Sequence, residues 1–172
     1  MEYFFSLGSN IGNRSKNLET ALDFLKEHIK ILSLSSVYKT TPINMKPETE
    51  YFFNMVIKAE SSVTPLKMLR LIKIIEQKMG RKKKERDKGF SFEDRIIDID
   101  IIFAGDKIIN LQELTIPHKE MLNRAFVLVP LNEIAPNLSH PVLNKPISYF
   151  LEQLKDKDKI IKIIQHNIIF GS

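Results

Sequence analysis

Apolar residues along the chain follow two spacings, one of about two residues and one of three to four. Residues 2–7 (EYFFSL) form a short apolar run that stops at Gly8, the pattern of a buried strand followed by a turn. After GSNIGNRS, the residues Leu18, Ala21, Leu22, Leu25 and Ile29 recur at helical intervals and predict an amphipathic helix. Residues 31–40 (ILSLSSVYKT) and 51–60 (YFFNMVIKAE) are rich in β-branched and aromatic residues, which predicts two antiparallel strands. Pro42 and Pro47 punctuate the loop between them. Thr64-Pro65 marks a helix start, with Met68, Leu71, Ile72, Ile75 and Met79 along its buried side and Gly80 as its stop. RIIDIDIIF, residues 95–103, is a further buried strand. A turn at Gly105-Asp106 and a short strand, KIIN, come next. The stretch from IPHKEM to NEIAPNL is expected to form short helices and loops, PISYFLEQL a last helix, and DKIIKIIQ an edge strand.

The order β-α-β-β-α-β predicts an α+β fold, a ferredoxin-like sandwich with two helices on one face of an antiparallel sheet. Gly8 and Gly12 are expected to supply positive φ in the turn after the first strand. With 172 residues, no internal repeat and no linker-like tract, a single domain covering 1–172 is expected.

Composition changes this picture little: 43% apolar and 27% charged residues are ordinary for a globular protein. No run approaches the ~18 apolar residues of a transmembrane helix. The first residues look like a strand rather than a signal peptide. The chain has no cysteine, so it has neither disulfides nor thiolate chemistry, and a cytoplasmic location is expected. The net charge of +5 is unevenly spread, however. GRKKKERDKG, residues 80–89, sets six cations against two anions immediately before the strand at 95–103.

That strand carries Asp98 and Asp100 two residues apart, hence on one face, with roughly 6–7 Å between their Cα atoms. Two carboxylates so close in an apolar element repel one another and resist desolvation. An edge strand could turn them to solvent, but Ile96, Ile97, Ile99, Ile101, Ile102 and Phe103 leave little sign of a solvated face. Oxygen ligands with no cysteine or paired histidine nearby suit Mg²⁺, which takes one or two protein carboxylates and leaves the rest to water and phosphate. A nucleotide triphosphate fits that requirement. Arg81, Lys83, Arg86 and Arg95 are close enough in sequence to meet its outer oxygens, although a bare basic run is more often a solvated loop. No Walker A loop and no kinase signature is present, so a triphosphate would be held in another way.

Other residues carry weaker signals. His118 sits with Lys119 and Arg124 in TIPHKEMLNRAF, whereas His28, His140 and His166 read as structural. On residues 51–60, an aromatic ring beside Asn54 could stack a flat heterocycle while the amide reads its edge; core packing is the competing explanation. A single-stranded RNA-binding module is a rival reading for a ferredoxin-like sheet with aromatics and a basic loop. The acidic pair argues against it, because aspartates facing a nucleic acid repel its phosphates, and no nucleic-acid partner is expected.

Taken in order, SLGSNIGNR, SSVYKTTPI, FFN, GRKKKERD, DRIIDIDIIF and IPHKEMLNRAFVLVPLNEIAP resemble the 6-hydroxymethyl-7,8-dihydropterin pyrophosphokinases of the folate pathway. The resemblance runs from residue 3 to about residue 138. Its most specific parts are R-x-x-D-x-D at 95–100 and P-H-x-x-M-x-x-R-x-F at 117–126. It implies a ferredoxin-like fold and a monomeric enzyme that moves a diphosphoryl group from ATP to the pterin hydroxymethyl group, releasing AMP. Asp98 and Asp100 would hold two Mg²⁺ ions with the triphosphate, and Asp98 would lie near the reacting hydroxyl. Arg81 and Arg95 would act in catalysis with Asp98 and engage ATP. Glu76, Lys83, Arg86, Ile101, Thr115, His118, Lys119 and Arg124 would complete the ATP site, with Glu76 near the ribose. The pterin would lie between Phe52 and Phe126, read by Asn54 and by the backbone of Thr40, Thr41, Pro42 and Ile43, with Asp98 alongside. Where the family often has W-G-P-R, this chain has GFSFEDR, which leaves Phe90 or Phe92 to stand for the tryptophan.

Overall fold

The structure is a computed structural model that describes residues 1–41, 50–81, 95–155 and 160–164. Its main sheet is built from β1 (Glu2–Ser9), β2 (Lys30–Leu34), β3 (Val37–Thr40), β4 (Phe52–Glu60), β5 (Asp98–Ala104) and β8 (Ile160–Ile164). The strand order is β5-β1-β4-β3-β8, with β2 also beside β4 and every pairing antiparallel. A small hairpin of β6 (Ile109–Asn110) and β7 (Thr115–Ile116) stands apart. The helices are α1 (Arg14–Lys26), α2 (Pro65–Lys78), α3 (Ala125–Ile134) and α4 (Ile147–Gln153), with a 3-10 turn at Met121–Asn123.

Strand alternation and helical periodicity meet in the first core. Tyr3, Phe5 and Leu7 of β1, Met55, Ile57 and Ala59 of β4, and Ile99 and Ile101 of β5 are buried against Leu18, Leu22 and Leu25 of α1 and Met68, Ile72 and Ile75 of α2. The expected ferredoxin-like arrangement is present, with α1 and α2 on one face of the sheet. The stretch taken for short helices and loops includes the ten-residue α3, which with α4 covers the opposite face. There Val127, Leu128, Leu131 and Ile147 pack on Phe4, Val56, Ile102 and Phe103. Pro130 within α3 disguises its helical pattern in the sequence.

The expected strand over 31–40 is divided at Ser35-Ser36 into β2 and β3. Serine hydroxyls compete with backbone groups for hydrogen bonds, and here they take the ladder's place. The Ser35 hydroxyl accepts from the Val56 N–H at 2.9 Å, while Ser36 donates its N–H and hydroxyl to the Glu133 carboxylate of α3 at 2.8 and 2.6 Å. Tyr38 donates to the same carboxylate at 3.0 Å, so Glu133 clamps the second helical layer to β3. The first strand is also longer than expected, passing through Gly8 to Ser9. Gly12, at φ +61°, makes the turn, but Gly8 is extended and does not.

His140 organises the loop between α3 and α4. Its ring lies 5.8 Å from those of Phe103 and Phe150, and its Nδ1 accepts from the N–H groups of Val142 and Leu143 at 3.3 Å each. Burial lowers its pKa, and two donors on Nδ1 require that nitrogen to be unprotonated. The unfolded chain therefore binds this proton more readily. The stabilising effect is complete above about pH 6.5, the ordinary histidine value, and is lost as pH falls through the lower folded value. The melting temperature is expected to fall between pH 7 and pH 5, and more shallowly in His140→Gln, as followed by circular dichroism.

Candidate active site

The sheet register sets the acidic pair beside Gly8 and Asn54. Asp98 of β5 lies opposite Gly8 of β1, and Gly8 lies opposite Asn54 of β4. Asp100 stands one step along, opposite Ser6. Gly8 is required by close approach rather than by φ: a Cβ there would come within 2.7 Å of Asn54 Oδ1 and 3.8 Å of the Phe52 ring. Asn54 is buried, and its Nδ2 donates to the Thr40 hydroxyl at 2.7 Å, which leaves Oδ1 toward Gly8. A glycine floor thus separates an amide carbonyl from a carboxylate, with Phe52 at its side.

Cations converge on the two aspartates from separate elements. Arg81, just past the Gly80 stop of α2, lies 3.1 Å from Asp98 Oδ1, and Arg95 pairs closely with the other oxygen of that carboxylate. Arg124, before α3, lies 3.5 Å from Asp100 Oδ2, with His118 Nε2 at 3.9 Å. The outer edge of β5 fastens two of these elements. The Ile99 N–H donates to Glu76 Oε1 of α2 at 3.0 Å, and Ile102 O accepts from the His118 N–H at 3.1 Å. Groups of an edge strand that would otherwise lack partners therefore anchor the walls of the site.

Charge is still not balanced at Asp100. About a third of its side-chain surface is open (34%), yet the carboxyl stands in a crowded cleft. Burial, followed by the neighbouring Asp98 charge, raises its pKa from 3.8 to about 7, against the opposing pull of Arg124 and Arg95. His118 is pushed down to about 4, by burial first and then by Arg124. Its Nδ1 accepts from the Glu120 N–H at 3.2 Å, so the neutral ring turns Nε2–H toward Asp100. At neutral pH that contact is not an ion pair.

Residues 4–136 match the family described as 7,8-dihydro-6-hydroxymethylpterin-pyrophosphokinase (HPPK). The chain belongs to this family. It is 35% identical over 147 residues to the 2-amino-4-hydroxy-6-hydroxymethyldihydropteridine pyrophosphokinase of Aquifex aeolicus, covering 86% of this chain and 88% of that protein. It is 40% identical over 156 residues to the folic acid synthesis protein fol1 of Pneumocystis carinii, covering 90% of this chain and 20% of that protein. The chain therefore spans about a fifth of the length of the fol1 relatives it matches. In fold it is similar to the wild-type HPPK-DHPS of Plasmodium falciparum solved with pteroate, with a TM-score of 0.72 and 22% identity over 88% of this chain and 44% of that one.

Within the HPPK frame, the structure brings Asp98, Asp100, Arg81, Arg95, His118 and Arg124 together, with Asn54, Thr40 and Phe52 nearby on the same sheet. Thr115 is half-buried on β7, Lys119 and Thr41 are exposed, and Phe126 is half-buried with Arg124 over its ring at 5.6 Å. Two further residues of the expected nucleotide site are largely buried. Ile101 is 4% exposed with its side chain in the first core, so only its backbone could meet a ligand. The Glu76 side chain is 5% exposed and is engaged by Arg81 and the Ile99 N–H. Pro42, Ile43, Lys83, Arg86, Phe90 and Phe92 lie outside the described residues.

Pattern reading did not single out Asn10, which contacts the backbone of Arg95, nor the way Gly8 makes room for Asn54. An asparagine closing G-S-N at a strand end was the available signal for the first.

The Asp100 carboxyl gives a direct test of this electrostatic arrangement. Its folded pKa lies above the unfolded value, so its stabilising contribution is present at acid pH and is lost as pH rises from about 4 through about 7. In the free protein its ¹³C carboxyl resonance is expected to titrate near pH 7, and Arg124→Ala is expected to move the midpoint upward. A midpoint near 4 contradicts the crowding described.

Proposed function

We propose that this HPPK-family chain transfers a diphosphoryl group from ATP to the hydroxymethyl group of 6-hydroxymethyl-7,8-dihydropterin. One observation carries the reading: two aspartates on one strand face are enclosed by cations from α2, from the segment before β5 and from the segment before α3. They stand on the same face as Gly8 and the buried Asn54 amide, beside which Phe52 offers a ring to a flat heterocycle. The pterin oxygen attacks the β-phosphorus, the bond from that phosphorus to the α–β bridging oxygen breaks, AMP leaves, and the hydroxyl proton passes to water.

The donor set fits magnesium. Asp98 and Asp100 supply hard oxygen ligands two residues apart on one strand face. In this reading Asp98 and Asp100 hold two Mg²⁺ ions, which when bound neutralise charge on the triphosphate.

The chain's own groups account for the remaining requirements. Phosphoryl transfer calls mainly for positioning and charge stabilisation, so no strong base is required. Arg81 and Arg95 stabilise the charge that develops on the transferred group, with Glu76 steadying Arg81 from below. Arg124, His118, Lys119 and Thr115 flank the nucleotide, joined by Lys83 and Arg86 and by the backbone of Ile101. Phe52 and Phe126 stack the pterin, and Asn54 reads its edge with the backbone of Thr40, Thr41, Pro42 and Ile43. The enzyme is read as a cytoplasmic monomer; absence of cysteine is consistent with a reducing compartment.

The deciding assay mixes protein, Mg-ATP and the hydroxymethyl pterin and identifies the nucleotide product. AMP that depends on the pterin supports the proposal, whereas ADP or no product contradicts it. Asp98→Ala and Asp100→Ala are expected to lose on the order of a thousandfold in kcat, the scale of losing electrostatic stabilisation at a reacting centre. Single lysine replacements in residues 82–88 should cost far less, and equal mild losses would refute the acidic pair's role. Gly8→Ala displaces the Asn54 amide and should raise KM for the pterin roughly tenfold while leaving KM for ATP nearly unchanged, on the scale of one disturbed hydrogen bond.

A further inference from the structure

Arg95 has to be held in place although it lies outside any strand. β5 begins at Asp98, and the last register pair between β1 and β5 joins Gly8 to Asp98. Beyond that pair, Asn10 takes over. Its backbone N–H donates to Arg95 O at 3.1 Å, and its side-chain Oδ1 accepts from the Arg95 N–H at 2.7 Å. One residue thus engages both backbone groups of Arg95, imitating an antiparallel pair in which a side-chain carbonyl replaces the backbone carbonyl. The substitution has a local cause: the chain turns away after β1 toward Gly12, which is at φ +61°. Asn10 is 2% exposed, so the arrangement is shielded from competing water.

The two arginines on Asp98 are therefore fixed at their backbones by different devices. The Arg81 N–H donates to Glu76 O at 2.9 Å in the C-terminal turn of α2, next to Gly80 at φ +96°. For Arg95, Asn10 supplies the equivalent restraint. A guanidinium serves catalysis only when its fork is held close to the productive geometry, and a free arginine side chain samples many rotamers. Fixing the main chain sets the point from which the side chain starts, and the pairing with Asp98 then selects its rotamer.

We propose that Asn10 is a positioning residue that clips the Arg95 backbone and thereby keeps the guanidinium on Asp98. This rests on the reaction proposed above for its kinetic consequence, but the clip itself is testable in the free protein. In ¹⁵N spectra of the ligand-free protein, Asn10→Ala is expected to speed exchange of the Arg95 amide at least tenfold. The Arg95 Nε–H resonance should move toward that of a solvated arginine, while amides at the centre of β1 keep their protection. Unchanged Arg95 amide exchange and Nε–H shift overturn the proposal, whatever reaction the protein catalyses.

The kinetic arm is a double-mutant cycle with Arg95→Ala, scored by pterin-dependent AMP. Asn10→Ala is expected to lower kcat about tenfold with little change in KM for ATP, and to add almost nothing when Arg95 is already alanine. Equal losses in the two backgrounds overturn positioning through Arg95. Asn10→Asp keeps an acceptor for the Arg95 N–H and should recover most of the amide protection and kcat; a protein folded by circular dichroism that behaves like Asn10→Ala also overturns it. If the unaltered protein makes no pterin-dependent AMP, the proposed reaction fails, while the free-protein spectra still decide the clip.

Discussion

The site depends on like-charge repulsion between Asp98 and Asp100, contained but not cancelled. Two carboxylates on one face of a largely apolar strand are tolerable only if cations approach them, and three arginines do so from three directions. Asp98 receives two guanidinium groups. Asp100 has one guanidinium at 3.5 Å and an imidazole that its surroundings keep neutral. Burial first, and then the neighbouring Asp98 charge, raise the Asp100 pKa to about 7 against the pull of Arg124 and Arg95.

Placing β5 at the sheet's edge is what allows this arrangement. A central strand would spend both rows of backbone groups on neighbouring strands. As an edge strand, β5 uses one row for β1 and leaves the other for Glu76 and the His118 segment. Groups that elsewhere would invite aggregation here fix the walls of a cleft. The same economy appears at Asn10, whose amide side chain extends the β1–β5 ladder to a residue the backbone does not reach.

The second helical layer links the two ends of the site. Arg124 and Phe126 belong to the start of α3, and the far end of that helix is tied to Ser36 and Tyr38 through Glu133. Tyr38 is paired in register with Asn54, so the clamp and the Asn54 amide share one stretch of sheet. Any shift of α3 would alter the span between Phe52 and Phe126 and the approach of Arg124 to Asp100 together.

Local chemistry determined much of this in advance. Helical spacing in 18–29 and 65–79, the Gly80 stop, the apolar strands and the paired aspartates are properties of neighbouring residues, and each was legible in the sequence. The shared face of Asp98 and Asp100 follows from the two-residue repeat of a strand alone. Long-range contacts were not legible. Ser35-Ser36 breaks a strand because Val56 and Glu133 wait opposite; Gly8 matters because Asn54 lies across from it; Glu76 turns inward because Ile99 presents an edge N–H. Each of those effects needs a partner far away in sequence, so only the folded arrangement could decide it. Residue type specified what each side chain was able to do, and tertiary structure specified which group it had to face.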